Sequence, residues 1–279
     1  MSWIRIKPGS AFPVCTVCGK PDWCTVNPQD GKACCMRVES IKPAKNGGWF
    51  HPLQVGSVPT KKPVSDQRRP KTVKVEDLCR MVLQCRCDNP VDLAATLGVS
   101  VKSLKRLEVG FDGKNWMFPM RNGYNCIVGI RLRTESGRKF AVTGSKNGLF
   151  WPTGVNVASR EVLFICEGST DCAALLDMGF EAIGRPSCSG GVEDIKQFLY
   201  HADRTVVIMS DKDAPQTSPD GRQFTPGQDG TERLAKEIKS LVRSVKVIEP
   251  CKGKDARQWK RAGATKEIVM AVVKNARFV

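Results

Sequence analysis

No apolar run in this sequence approaches the ~20 residues that a helix needs to cross a bilayer, and the N-terminus, MSWIRIKPGS, lacks the apolar core of a secretory leader. A soluble, unexported protein with no membrane partner is therefore expected. No internal repeat at a solenoid period is present, nor any low-complexity tract beyond one short linker, so arrays and propellers are excluded. A disulfide framework is excluded as well, although the chain has 13 cysteines: the number is odd, the chain is 279 residues long and no leader precedes it. Reduced thiols and a metal site are the expected use of these cysteines.

The net charge of +16 is unevenly spread. Residues 1–150 carry 25 Lys and Arg against 11 Asp and Glu, whereas residues 151–279 carry 19 against 17. A basic half joined to a nearly neutral half points to one part gripping a polyanion while the other does something else. A merely solubilising surface would not need this asymmetry.

Four segments follow from composition and periodicity. Residues 1–53 are Cys- and Gly-rich and read as a small metal-binding domain. Residues 54–73, QVGSVPTKKPVSDQRRPKTV, form a polar, basic linker. Residues 74–160 begin with a helical pattern from Glu76 to about Leu107, where LAATLGVSVKSLKRL suits two short helices around Gly98. Strand-like pieces WMFPM, CIVGIRLR and KFAVTG follow, separated by turns. From Glu161 onward strands and helices alternate, EVLFIC, DCAALLDM, EAIG, VEDIKQFLYHA, TVVIMS, TERLAKEIKSLV, VKVIEP, with Leu234, Ile238 and Leu241 on one helix face. Such alternation makes a mainly parallel sheet flanked by helices. The expected class is therefore α/β, with a small zinc-ribbon-like domain, a mixed α+β basic subdomain and the parallel-sheet subdomain in that order.

The segment CTVCGKPDWCTVNPQDGKACC offers Cys15, Cys18, Cys24, Cys34 and Cys35. A Cys-x-x-Cys knuckle with further cysteines nearby suits tetrahedral zinc, and so small a segment has little core, so the metal would also supply folding energy. Cys15, Cys18, Cys24 and Cys35 are the expected ligands, with Cys34 the rival for the fourth place and His51 a further candidate. A redox Cys-x-x-Cys lacks its usual strand-to-helix context here.

In a parallel sheet the carboxyl ends of the strands share one edge, where ligands bind. Glu167 follows the first strand of the alternating region, Asp211 and Asp213 follow TVVIM, and Asp255 in GKDARQW lies just beyond VKVIEP. Asp171, four residues after Glu167, could face it from the first helical turn. Asp211 and Asp213 alternate in what reads as an extended segment, so both could point one way. Gathered carboxylates repel and raise one another's pKa unless a cation joins them, and an all-oxygen set suits Mg²⁺ or Mn²⁺.

EGSTD (167–171), the Gly-rich turn GRPSCSGG (184–191) and SDKD (210–213) together resemble the TOPRIM domain of primases, topoisomerases and some nucleases. Together with the zinc segment and WMFPMRN…IVGIRLRTESGRKFAVTGSKNGLFWP, the order of motifs is similar to that of DnaG-type primases. It is closer still to the primase halves of phage helicase-primases, which carry a motif like GKDARQW. The resemblance spans about Cys15 to Trp259. It implies a DNA primase, a nucleotidyltransferase making short RNA primers on single-stranded DNA from ribonucleoside triphosphates, with structural Zn²⁺ and catalytic Mg²⁺ or Mn²⁺. Glu167, Asp171, Asp211 and Asp213 would be catalytic, with Glu167, Asp211, Asp213 and Asp255 about the catalytic metal. Arg131, Arg133, Lys139 and Lys146 would hold template and nucleotide. It also implies work in the cytoplasm of a bacterium or an infected host, and a replicative helicase acting in trans, since no helicase segment is read before Val279.

One departure and two rival readings accompany this. After Asp213 the longer APQTSPDGRQFTPGQDG replaces the family's short turn. A TOPRIM nuclease would use the same metals for hydrolysis, whereas a topoisomerase lacks its tyrosine-bearing domain, only Tyr124 and Tyr200 being present. A non-catalytic regulator would use LAATLGVSVKSLKRL as a helix-turn-helix, but that leaves the strand-end carboxylates without a task.

Overall fold

The computed structural model describes residues 3–44, 47–53, 73–156, 158–200, 202–217 and 223–279. The chain divides into two compact units, Met1–Arg69 and Pro70–Val279. The linker expected over 54–73 lies, except for Val73, outside the described residues.

The first unit is an antiparallel sheet of β1 (Ile4–Arg5), β2 (Thr25–Asn27), β3 (Lys32–Cys35) and β4 (Trp49–Pro52) in that order. Its core consists of little more than Ile6, Val26, Ala33 and the buried Cys15, Cys24 and Cys35. So few apolar side chains, at about 1.5–3 kcal/mol each, cannot offset the ordering of some 50 residues.

The second unit opens with α1 (Val75–Gln84), α2 (Val91–Leu97) and α3 (Val101–Arg106), then an antiparallel sheet of β5 (Gly110–Phe111), β6 (Trp116–Arg121), β7 (Ile127–Arg133) and β8 (Lys139–Ala141). Gly98 ends α2 at φ +67°, the left-handed conformation that favours glycine, and the Arg261 side chain packs against it. After this sheet come β9 (Leu163–Glu167), α4 (Gly168–Asp177), β10 (Glu181–Arg185), α5 (Val192–Phe198) and β11 (Thr205–Met209). The chain continues through a short hairpin of β12 (Gln216–Thr217) and β13 (Gln223–Phe224), then α6 (Pro226–Ile238), β14 (Ser244–Ile248), α7 (Ala256–Arg261) and α8 (Lys266–Asn275).

The second sheet is wholly parallel, in the order β10-β9-β11-β14. Its strands are apolar on both faces because helices cover both. Phe164, Cys166, Val207 and Met209 face one core with α4, α7, α8 and the α2–α3 pair. Leu163, Ile165, Val206 and Ile208 alternate into the other, with α5 and α6. The two subdomains expected within 74–279 thus belong to one compact unit, and Phe150, pairing with Gly184, carries the chain from the antiparallel sheet to the edge of the parallel one.

Helix α6 starts at Pro226, five residues before the expected Thr231. PGQDG reads as a loop, but Pro226 occupies a first-turn position where no N–H is needed. Its glycines serve close approach: a Cβ on Gly227 would stand 2.8 Å from Asp211 O, and one on Gly230 2.1 Å from Cys188 O. Among the described residues, no helix is long and apolar enough to cross a membrane.

Candidate active site and zinc centre

In the first unit the chain turns at Cys15 and Cys18 through a knuckle in which the Gly19 N–H donates to Cys15 O at 2.8 Å. The Sγ atoms of Cys15, Cys18, Cys24 and Cys35 lie within 4.8 Å of one another, with 3.7 Å between Cys18 and Cys24 and 3.9 Å between Cys24 and Cys35. Sulfurs at the corners of a zinc tetrahedron with Zn–S of about 2.3 Å stand about 3.8 Å apart, so this donor set fits the ion. Backbone N–H groups of Met36 and Val38 point at Cys24 Sγ (3.4 Å) and Cys35 Sγ (3.3 Å), donors that suit thiolates. The rivals are engaged elsewhere: the Cys34 thiol donates to Gly47 O, and His51 Nε2 lies 3.0 Å from Val38 O.

In the second unit a cleft of about 340 Å³ opens at the carboxyl edge of the parallel sheet. Glu167, Asp171, Asp211 and Asp255 line it together with Arg131, Lys139, Lys254 and Arg257. Glu167 ends β9 beside Arg185 at the end of β10. The turn between Glu167 and α4 requires Gly168 at φ +81°.

Each carboxylate has a distinct setting. Burial first, then the charges of Asp171, Glu167, Asp255 and Asp213, push the Asp211 carboxyl up to about 8, and its buried Oδ1 has no hydrogen-bond partner. Burial, followed by the Asp255 charge, pushes Asp171 up to about 7, while its Oδ1 accepts from the Arg257 N–H at 3.0 Å. Glu167 is raised by burial and by Asp213, against which Arg185, Lys254 and Lys139 act. Asp255 caps α7, accepting from the Gln258 N–H at 2.7 Å. The sequence DARQ carries this as a D-x-x-Q capping signature.

Asp213 does not line the cleft. The segment after Met209 is not extended, because the Asp213 N–H turns back to Asp211 O at 3.1 Å. Asp213 Oδ1 pairs with Lys254 Nζ at 2.8 Å, and its Oδ2 accepts from the Gly227 N–H at 2.8 Å in the first turn of α6.

An orphaned carboxylate oxygen among mutually raised acids is an arrangement that a divalent cation relieves, so these residues fit Mg²⁺ or Mn²⁺. Among the described residues, no group of three or more Asp, Glu, His or Cys besides the cysteine cluster is gathered within 4.8 Å. A hydrated ion sharing its remaining positions with a phosphate matches this looser set.

The expected cations are only partly brought together. Arg131 and Lys139 line the cleft, and the buried Arg131 Nε has no hydrogen-bond partner. Burial, then Arg133, holds the Lys139 ammonium below the usual lysine range. Arg133 lines the neighbouring cavity, and Lys146 is exposed on the loop after β8. Sequence reasoning missed Lys254, Arg257 and the buried Arg185, whose Nε donates to Gly190 O at 3.2 Å and steadies the Gly-rich turn. All three lie inside motifs quoted for other residues.

The helix-turn-helix candidate is internal. Asp177 of α4 accepts from the N–H and hydroxyl of Ser100 and from the Ser103 hydroxyl, occupying the N-terminus of α3, and Lys260 Nζ pairs with it at 2.8 Å. Ser103 and Leu104 are buried. A recognition helix needs that end free for base edges, so α2–α3 is a packing element of the core.

No protein-family model and no curated protein sequence matches the chain. Solved structures do. A DnaG catalytic core superposes with a TM-score of 0.54 at 17% identity, over 73% of this chain and 79% of that one. A DnaG primase catalytic domain bound to single-stranded DNA gives 0.53 at 15%, over 73% and 80%. The Aquifex aeolicus primase, comprising zinc-binding and RNA polymerase domains, gives 0.53 at 11%, over 74% and 60%. With its α/β architecture and four-cysteine cluster, this chain has the fold of the DnaG-type primases.

Proposed function

We propose that the chain is a DNA primase that builds short RNA primers on single-stranded DNA by metal-dependent nucleotidyl transfer. The carrying observation is the cleft where Glu167, Asp171, Asp211 and Asp255 meet Arg131, Lys139 and Arg257 at the carboxyl edge of a parallel sheet. On this reading 1–53 is the zinc-binding domain, 74–160 holds template and nucleotide, and 161–279 is the TOPRIM-type catalytic part.

The residues divide the work by charge. Asp211, Glu167 and Asp255 would hold Mg²⁺ or Mn²⁺, with Asp213 steadying Lys254 and the start of α6. When bound, the ion supplies positive charge against the charge that develops on the reacting phosphate. Arg131, Lys139 and Arg257 bind the triphosphate and orient it, a fixed set of cations in a partly desolvated cleft. Glu167 accepts the proton of the attacking 3′-hydroxyl as that oxygen joins the α-phosphorus and pyrophosphate departs. Cys15, Cys18, Cys24 and Cys35 would hold Zn²⁺, which supplies the folding energy that the first unit's small core lacks.

The test is incubation with single-stranded DNA, labelled ribonucleoside triphosphates and Mg²⁺ or Mn²⁺. Short RNA that Asp211→Ala abolishes is the expected result. Loss of DNA without RNA synthesis would make the protein a nuclease and overturn the reading.

A further inference from the structure

Beside the carboxylate cleft, and separate from it, lies a cavity of about 510 Å³ to which no role has been given. Two half-exposed rings form part of its wall: Phe111 and Trp116, with centroids 4.8 Å apart and planes inclined at 47°. They face each other across the β5–β6 pair. The turn between them is held by Asp112, whose Oδ1 accepts from the N–H groups of Lys114 (2.9 Å) and Asn115 (2.6 Å). The Phe111 N–H is fixed to Cys85 O at 2.7 Å, and Trp116 packs against the core from behind. The rings are therefore a rigid platform, whose ordering cost is met by folding.

Three charged side chains complete the cavity. Arg133 stands opposite Trp116 in the strand register and lines the wall. It also pairs in register with Lys139, which lines the carboxylate cleft, so Arg133 lies between the two openings. Asp92 and Glu135 line the cavity as well, and among the described residues neither forms an ion pair. An aromatic platform beside a cation suits a base with its attached phosphate. Carboxylates are acceptors only, so they favour base edges that donate through exocyclic amino groups, as cytosine does and thymine does not.

We propose that this cavity seats one base of the single-stranded DNA, stacked on Phe111 and Trp116, with its phosphate on Arg133 and its amino group on Asp92 or Glu135. It rests on the reading of the protein as a primase and adds to it a base-selective contact away from the carboxylates.

The test uses the full chain, fluorescence anisotropy and no divalent metal, with labelled twelve-mers of dC and dT. Wild-type protein should bind the dC oligomer about tenfold more tightly than the dT oligomer, a gap that Asp92→Ala with Glu135→Ala closes. Phe111→Leu should weaken dC binding about tenfold, whereas Phe111→Tyr, which keeps the ring, stays within about twofold. An abasic twelve-mer should bind wild-type protein about tenfold more weakly than the dC oligomer does, a comparison that does not depend on any variant folding. Equal affinity for abasic and dC oligomers, or a Phe111→Leu protein that binds dC as tightly as the wild type does, would overturn the proposal. RNA synthesis separates the two readings: no primers with the binding pattern intact sinks the primase alone, and primers without that pattern sink only the base site.

Discussion

The Arg257 N–H donates to Asp171 Oδ1 at 3.0 Å, so the first turn of α4 holds the first turn of α7. With this bond Asp171 helps to hold the segment that brings Lys254, Asp255 and Arg257 to the cleft. Asp171→Asn keeps an acceptor at Oδ1 and removes a charge that repels Asp255 and Asp211. It should unfold at or above the wild-type temperature at pH 8. Asp171→Ala leaves the N–H without its partner and should cost about 1–3 kcal/mol, read as a lower Tm. The Asn variant should also keep more RNA synthesis than Asp211→Asn, which should lose about a hundredfold or more. Equal losses would make Asp171 a metal ligand.

Asp211 carries the pH dependence. Its carboxyl moves from 3.8 to about 8 on folding, so the folded chain holds the proton more tightly than the unfolded one. The stability tied to that proton is complete below about 4 and is lost as pH rises through about 8; Asp171, at about 7, acts in the same direction. In chelator, thermal stability should therefore decline between pH 5 and pH 8. Asp211→Asn should flatten that decline. Mg²⁺ or Mn²⁺ should raise the Tm of wild-type protein more at pH 8 than at pH 5, because the cation competes with the proton for the same oxygens. A scan of Tm against pH, with and without metal, decides it.

The zinc assignment separates two adjacent cysteines. Cys35 Sγ lies in the four-sulfur cluster and Cys34 Sγ points to Gly47 O. Cys35→Ala should lose the single zinc ion per chain and the cooperative unfolding of the first unit, whereas Cys34→Ser should keep both. Metal analysis by mass spectrometry, with circular dichroism after chelation, provides the check.

Much of this was legible in the sequence because it rests on local rules. The unbroken apolar runs of Leu163 to Cys166 and Val206 to Met209 mark strands covered on both faces, and the strand ends then place Glu167 and Asp211 on one edge. The cysteine spacing marks the knuckle. What stayed hidden depends on partners distant in sequence. Arg185 and Arg257 look like ordinary surface charges until the fold sets one against the Gly-rich turn and the other against Asp171. Asp213 reads as a twin of Asp211, but the tight turn between them and the Gly227 N–H give it a different task. The glycines of PGQDG signal a loop by composition, and only the nearness of Asp211 and Cys188 shows that they make room.

Asp177 explains why a helix-turn-helix pattern appears in a chain that does not use it for DNA. Its carboxylate takes the N-terminus of α3 and the Lys260 ammonium, so α2–α3, α4 and α7 are joined through one side chain that is 5% exposed. Burial raises its pKa, but the donors Lys260, Ser100 and Ser103 outweigh that and hold the carboxyl below the usual range. Its contribution is present at neutral pH and is lost as pH falls through the folded value. Asp177→Ala takes the carboxylate from Lys260, which keeps only the Gly98 carbonyl, and from two hydroxyls, and should cost about 3 kcal/mol, or about 6–12 °C in Tm for a unit of this size. The loss should shrink in acid, where the wild-type carboxyl is itself protonated. Lys102→Ala and Lys105→Ala, on the same short helix, should leave Tm unchanged and should leave duplex DNA binding no more sequence-dependent than in the wild type. A sequence-specific duplex footprint erased by those lysine changes would instead show that α3 reads DNA.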